Sequence, residues 1–180
     1  MLPPDVARLA QGELGGHALH LARRLLATLS ARRPGPTEDA WARTWLSAAE
    51  WELWQRHRGH DRRHTMAVAR LVSTCAPPDT QPPQWVLAAA LLHDIGKTAA
   101  DLAVPGRVVA ALLTLVGAST APGRLGRYLR YPSLGRALLE AAGSDPQVVA
   151  WAAQHHWSPA QWTLPAQWAQ ALAAADHFAV

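Results

Sequence analysis

The chain has 180 residues and a formal net charge of +4, with sixteen arginines and a single lysine. This length can bury a core without disulfides, and the one cysteine, Cys75, excludes an internal disulfide framework. Residues 1–5 lack a signal-peptide pattern, and the longest apolar run, residues 108–118, is too short to cross a bilayer. We therefore expect a cytoplasmic protein with no membrane partner.

The positive charge favours an arginine-rich solvated surface, although it is also compatible with a small anionic ligand. Charge alone does not identify a nucleic-acid-binding protein, so nucleic acid is not an expected partner. Long helical patterns alternate with clusters of Pro and Gly, and no stretch alternates apolar and polar residues as a half-buried strand does. The fold class is therefore predicted to be all-α.

The first predicted helix covers residues 5–30, followed by a Pro- and Gly-containing linker at residues 32–36. His17 and His20 lie in this helix without an acidic partner at ligand spacing, so we interpret them as surface or packing histidines. Thr37 is predicted to cap the second helix, because acidic residues follow it in the first turn.

Four tryptophans, at positions 41, 45, 51 and 54, fall within the second predicted helix. Indole rings can stack on nucleic-acid bases. A stripe with this spacing is more typical of packing between helices, and this is the interpretation that we favour.

The next helix is predicted to bury one histidine. His64 lies at positions i, i+4 and i+8 with Val68 and Val72, so it falls on the apolar stripe. A buried imidazole needs a partner, either a metal ion or a backbone carbonyl. His60, one turn earlier, is predicted to line the mouth of the same site, and His57 is predicted to face solvent.

After a proline-rich loop, a helix beginning near Gln84 ends in the sequence Leu-Leu-His-Asp-Ile-Gly-Lys at residues 91–97. His93 offers a nitrogen and Asp94 a carboxylate oxygen, a donor set that borderline divalent metals accept. Gly96 is expected to stop the helix in a left-handed conformation. Lys97 adds a cation directly beyond the pair.

Two further features lie between this pair and the next candidate histidines. Residues 105–118 are predicted to form an apolar helix. Arg124, Arg127 and Arg130 then follow at intervals of three, which places them on one stripe of a helix. This stripe is compatible with phosphate binding, but a solvated face is the interpretation that we favour.

The last third of the chain supplies more polar residues at predicted helix ends and faces. A helix is predicted to begin at Tyr131, and Asp145 is predicted to cap the helix that ends at His155 and His156. Two adjacent histidines at a helix end are difficult to explain by packing alone. Asp176 is four residues beyond Leu172 on an apolar stripe, where an unpaired carboxylate is costly.

Together, separate helices are predicted to bring His64, His93, Asp94 and Asp176 onto buried faces. The order His…His-Asp…Asp resembles that of the HD superfamily of metal-dependent phosphohydrolases, and the segment His-Asp-Ile-Gly-Lys is the most specific part of the match. The resemblance covers roughly residues 56–178. It implies a single-domain helical bundle of the HD type at residues 56–180, with residues 1–55 as a helical extension packed on it.

The resemblance also implies how the site works. His64, His93, Asp94 and Asp176 would hold a divalent metal, which is Mn, Fe, Ni, Co, Zn or Mg by donor chemistry. A metal-activated water would attack the phosphorus of a nucleotide or other small phosphorylated substrate. Asp94, Lys97 and His155 are the predicted catalytic residues.

The resemblance leaves open whether the site binds a second metal ion. Multi-metal members of the superfamily have a His-Pro motif and a His-His motif, and His155 and His156 match the second motif. Tyr131 occupies the histidine position of the first motif, and a phenol is a poor ligand for Mg²⁺, Mn²⁺ or Fe²⁺. One ion is therefore expected and two remain open, with His155 and His156 as ligands, as proton donors, or as both.

Two alternative functions follow from the same residues. Some superfamily members use this ligand order for di-iron oxygenase chemistry. A non-catalytic module with a degenerate site, binding a nucleotide or a partner, is the third interpretation. A homodimer is compatible with the sequence.

Overall fold

The computed structural model describes residues 35–75, 81–115, 117 and 120–179. The predicted first helix, its two histidines and most of the predicted linker lie outside these residues, so the predicted domain boundary stays a prediction. Every regular element within the described ranges is a helix, which confirms the all-α class. The helices are α1 (Pro36–Arg43), α2 (Ala48–Gln55), α3 (Gly59–Cys75), α4 (Gln84–Leu92), α5 (Gly96–Ala100), α6 (Val104–Leu115), α7 (Gly123–Leu129), α8 (Tyr131–Ala141), α9 (Pro146–Gln154) and α10 (Ala166–Phe178), with a 3₁₀ turn at Pro159–Gln161.

Helix α4 is the centre of the bundle. All of its residues from Val86 to Leu92 are buried, because α3, α9 and α10 pack around it. A helix that is apolar on every side is stable in water only when other elements cover it completely. The residues that follow α4 therefore begin in the interior, where the polar pair His93 and Asp94 is also buried.

The second predicted helix is in fact two helices, and its predicted cap is wrong. The helix α1 begins at Pro36, and the Glu38 carboxylate accepts a hydrogen bond of 2.9 Å from the Gly35 amide, so the helix starts before Thr37. The chain leaves helical conformation after Arg43. Ser47 then caps α2 by accepting a hydrogen bond from the Glu50 amide at 3.2 Å.

The tryptophans pack as a core, as predicted. Trp54 is fully buried and stacks on Trp51 with ring centroids 5.2 Å apart. Trp41 meets Trp45 edge-on at 5.9 Å, and both rings pack on the buried core. These contacts join α1 and α2 to the bundle.

Gly96 does not end a helix in a left-handed conformation, so that prediction is wrong. It begins α5, and the left-handed residue is Asp101 at the other end of the same helix, with φ 44°. Glycine is required at position 96 instead because there is no room for a side chain. A Cβ at this position would lie 1.8 Å from the Tyr131 carbonyl oxygen and 2.6 Å from the Gly135 nitrogen. Helices α5 and α8 therefore touch backbone to backbone.

The prediction of Asp145 as a helix cap is confirmed, since its carboxylate accepts a hydrogen bond of 2.7 Å from the Gln147 amide at the start of α9.

The arginine stripe belongs to α7 and its C-cap Arg130. Arg124 is largely exposed and lies 3.6 Å from Asp101, as the interpretation of a solvated face predicts. Among the described helices, none has the length and the apolar character that crossing a membrane requires.

Candidate metal centre

Three parts of the bundle bring polar side chains to one buried point. His64 comes from the middle of α3, and Asp176 comes from the last turns of α10, which packs along α3. His93 and Asp94 lie in the tight turn between α4 and α5, where the His93 amide still donates to Ala89 O at 2.9 Å. The short turn holds both side chains of the pair against the neighbouring helices.

The two histidines link the two carboxylates of this cluster. His64 Nε2 is 2.8 Å from Asp176 Oδ1, and His93 Nε2 is 3.6 Å from the same oxygen. His93 Nε2 is also 3.6 Å from Asp94 Oδ2. Ligand atoms of His64, His93 and Asp94 all lie within 4.8 Å of one another, which is the spacing of donors around a single ion.

The ring of His93 is fixed so that one nitrogen faces this cluster. Its Nδ1 lies 2.9 Å from Ala90 O, and because a carbonyl can only accept, Nδ1 carries the hydrogen. In the neutral ring, which is the form that binds a metal, Nε2 is then an acceptor. It is buried and has no hydrogen-bond partner among the residues that the structure describes. A buried acceptor of this kind, between two carboxylates and a second imidazole, fits a divalent metal.

The charges in the cluster also fit a cation. Burial opposes ionisation of Asp94, but Lys97 and His93 hold the pKa of its carboxyl well below the usual range. Burial also opposes ionisation of Asp176, but the hydrogen bond from His64 and the nearby His93 keep the pKa of its carboxyl well below the usual range. Both carboxylates are therefore negative near neutral pH, and they can neutralise a divalent ion.

Lys97 is the cation closest to this pair. Its ammonium group contacts Asp94 Oδ2 and lies 5.0 Å from the centroid of the Tyr131 ring. The side chain is 12% exposed, so Lys97 reaches from the buried carboxylate toward the surface. This position agrees with a cation directly beyond the pair, as the sequence predicts.

His155 and His156 lie on the other side of Asp94, with Tyr131 between them. His155 Nε2 is 3.9 Å from Asp94 Oδ1 and 3.1 Å from the Tyr131 hydroxyl, which also contacts His156 Nε2. Burial lowers the pKa of His155 to about 3, and burial also lowers the pKa of His156. Burial raises the pKa of Tyr131 well above 10, so all three groups are neutral at pH 7.

The sequence analysis placed one histidine wrongly. His57 is buried and not solvent-facing, because the turn between α2 and α3 directs its ring inward. Both ring nitrogens lack a hydrogen-bond partner among the described residues, and burial lowers the pKa to about 4. The arginines on either side of His57 in the chain gave no signal of this burial.

The sequence analysis also missed an ion pair beside the centre. Arg107 of α6 forms a two-pronged contact with Asp61 of α3, at 2.7 Å and 3.0 Å, and donates to His60 Nε2 at 2.7 Å. This contact ties α6 to the first turn of α3, one turn before His64. The partners are 46 residues apart, so no local spacing predicts them.

We predict that the Asp61–Arg107 pair makes folding stability depend on pH. Burial opposes ionisation of Asp61, but the adjacent His60 and the hydrogen bonds from Arg107 bring its folded pKa well below the unfolded value of about 4. The stabilisation is therefore complete above about pH 4, and it is lost as the pH falls through that value toward the folded pKa. Urea unfolding should show that Asp61→Asn costs about 3 to 5 kcal/mol at pH 7, because Arg107 loses its partner.

The difference between the wild type and Asp61→Asn should then shrink below about pH 4. Asp145→Asn, which changes an exposed carboxylate to the same amide, is the matched control and should show little such dependence. If the difference in unfolding free energy between the wild type and Asp61→Asn stays constant down to pH 3, the pair is not the cause of the pH dependence.

Comparison with known families identifies the chain. A family model described as HD domain matches residues 62–179, which is more than half of the sequence and spans His64, His93, Asp94 and Asp176. Members of this family are in general metal-dependent phosphohydrolases that bind a divalent metal. No curated protein matches the chain, and no solved structure matches it. The chain therefore belongs to the HD-domain family.

Proposed function

We propose that this protein is a metal-dependent phosphohydrolase that acts on a nucleotide or other small phosphate ester. His64, His93, Asp94 and Asp176 would hold one divalent metal. The observation that carries the proposal is the buried His93 Nε2, an acceptor without a hydrogen-bond partner in the described residues, 3.6 Å from a carboxylate on either side. A bound cation satisfies this nitrogen and both carboxylates at once.

When bound, the metal supplies a Lewis acid for a phosphoryl oxygen and lowers the pKa of a water molecule. The residues of the chain fix the site. Ala90 O holds the His93 ring through Nδ1, so Nε2 keeps its direction. Asp94 and Asp176 contribute two negative charges that match a divalent ion.

Lys97 is proposed to stabilise negative charge on the phosphate. Its ammonium group is adjacent to Asp94 and is partly exposed, so it could contact a phosphoryl group bound beside the metal. A cation held in contact with the phosphoryl group lowers the activation barrier of hydrolysis, because it stabilises the negative charge that develops in the transition state. Lys97 is also the only lysine in the sequence, so a substitution there removes a single identifiable amine.

His155, which the sequence predicts as catalytic, is proposed to act through its neighbours. Its side chain is 1% exposed, and Tyr131 and Asp94 lie around Nε2. We therefore assign it a positioning role. Protons for the leaving group would come from the exposed side of the centre, where His156 and solvent meet.

Phosphate release from a substrate panel tests the proposal. The protein is loaded separately with Mn²⁺, Fe²⁺, Co²⁺, Ni²⁺, Zn²⁺ or Mg²⁺ and offered nucleoside monophosphates, other phosphomonoesters and phosphodiesters. We expect hydrolysis of at least one class with at least one metal, and loss of that activity after chelation. Oxygen consumption with a candidate substrate, without phosphate release, would instead indicate di-iron oxygenase chemistry. Metal binding without either activity would indicate a binding module.

A further inference from the structure

The hydroxyl of Tyr131 occupies the space between two adjacent imidazole rings. Tyr131 is the first residue of α8 and is buried, while His155 and His156 follow the end of α9. The Tyr131 hydroxyl lies 3.1 Å from His155 Nε2 and also contacts His156 Nε2. The same two nitrogens are the atoms that the histidines would offer to a second metal ion.

The backbone determines the direction of these hydrogen bonds. His155 Nδ1 lies 3.1 Å from Ala152 O and 3.3 Å from Trp151 O, and both carbonyls can only accept. Nδ1 therefore carries the hydrogen of the neutral ring, and His155 Nε2 is an acceptor. The Tyr131 hydroxyl has one hydrogen, and its acceptors are His155 Nε2 at 3.1 Å and the Asp94 carboxylate, so it does not donate to His156. Its oxygen then accepts from His156, which must be protonated at Nε2.

We infer that Tyr131 restricts the centre to one metal ion. The inference rests on the proposed metal centre, and it concerns how many ions that centre accepts. In the ordered chain from His156 to Tyr131 to His155, His156 Nε2 carries a hydrogen and His155 Nε2 accepts one, so neither Nε2 atom offers a free electron pair to a metal between the two rings. The phenol adds no anionic donor in exchange. The residues present thus do not fit a second ion.

The close packing of α5 and α8 holds the hydroxyl in this place. Gly96 lies against the Tyr131 carbonyl, so the backbone of Tyr131 cannot retreat toward α5. Lys97 lies 5.0 Å from the Tyr131 ring and restricts it from the side of Asp94. A histidine at position 131 would instead point an imidazole nitrogen at the space between His155 and His156.

The first test counts ions. Wild-type protein and Tyr131→His are titrated with Mn²⁺ by isothermal calorimetry, and the metal retained after gel filtration is measured by elemental analysis. We expect about one ion per chain in the wild type and about two in Tyr131→His. Two ions in the wild type, or no additional ion in a Tyr131→His variant with wild-type circular dichroism, would overturn the inference.

The second test reads the hydrogen-bond chain directly, by comparing the wild type with Tyr131→Phe. ¹⁵N NMR of histidine side chains, on protein loaded with diamagnetic Zn²⁺, should show His155 protonated at Nδ1 and His156 protonated at Nε2. Tyr131→Phe, which removes only the hydroxyl, should shift His156 toward a mixture of tautomers and leave His155 unchanged. The inference is overturned if His155 carries its hydrogen on Nε2, or if His156 does not respond to Tyr131→Phe.

These readouts do not depend on hydrolysis. A protein that binds one ion as wild type and two as Tyr131→His, yet hydrolyses no phosphate ester, would support the inference and remove the proposed reaction. Hydrolysis by a wild-type protein that holds two ions would support the reaction and overturn the inference.

Discussion

Asp94→Asn is expected to abolish metal binding and, with it, phosphate-ester hydrolysis. Asp94 is buried, and it faces His93 through one carboxylate oxygen and His155 through the other. The amide keeps the size of the side chain but removes a negative charge that the proposed metal requires. We expect kcat/KM to fall at least about a thousandfold, which corresponds to about 4 kcal/mol of transition-state stabilisation.

Metal affinity and kcat/KM, measured on the same preparations, check this expectation. Asp101→Asn is the matched control, because it makes the same chemical change at an exposed position where asparagine tolerates the left-handed conformation. The control should keep both its metal and its activity. Urea unfolding of Asp94→Asn is needed as well, since Lys97 loses its carboxylate partner. Full activity in a folded Asp94→Asn protein would refute the proposed role.

Gly96→Ala is expected to destabilise the fold strongly. The new Cβ would overlap two backbone atoms of α8, the Tyr131 carbonyl oxygen and the Gly135 nitrogen. Neither atom belongs to a flexible side chain, so relief requires α5 and α8 to separate. We expect a loss of about 3 kcal/mol or more in the free energy of unfolding, measured in urea.

The same substitution should also disturb the centre, because Lys97 follows Gly96 and Tyr131 supplies the contact. Gly35→Ala is the control: φ there is −75°, and nothing lies within 4 Å of a Cβ built at that glycine. Its effect should stay below about 1 kcal/mol. If Gly96→Ala unfolds at the same urea concentration as Gly35→Ala, the backbone contact between α5 and α8 is not as close as described.

Spacing along single helices predicted a large part of the centre. His64 lies with Val68 and Val72 on the buried side of α3, and Asp176 follows the buried Leu172 on α10. These predictions succeed because one helix face is either buried or exposed along its whole length. That the separate faces meet at one point came from the resemblance to the HD superfamily, since spacing within a helix does not give the arrangement between helices.

Features that depend on distant parts of the chain escaped the sequence analysis. Position 96 requires glycine because the backbone of Tyr131, 35 residues further along the chain, packs directly against it. Asp61 is buried together with Arg107, which reaches it from α6. His57 is buried because the turn between α2 and α3 directs its ring toward the interior. The break between α1 and α2 was missed because helical spacing of the tryptophans continued across it, while the cap at Ser47 decided where α2 begins.

The amount of metal per chain is the most direct test of the central claim. Protein purified anaerobically, as wild type and as His93→Ala, is measured by elemental analysis. The account predicts about one divalent ion per wild-type chain and almost none in His93→Ala, because the substitution removes the buried nitrogen that faces both carboxylates. A wild-type protein without metal, after incubation with each candidate ion, would contradict the account. So would a folded His93→Ala protein with the metal content of the wild type.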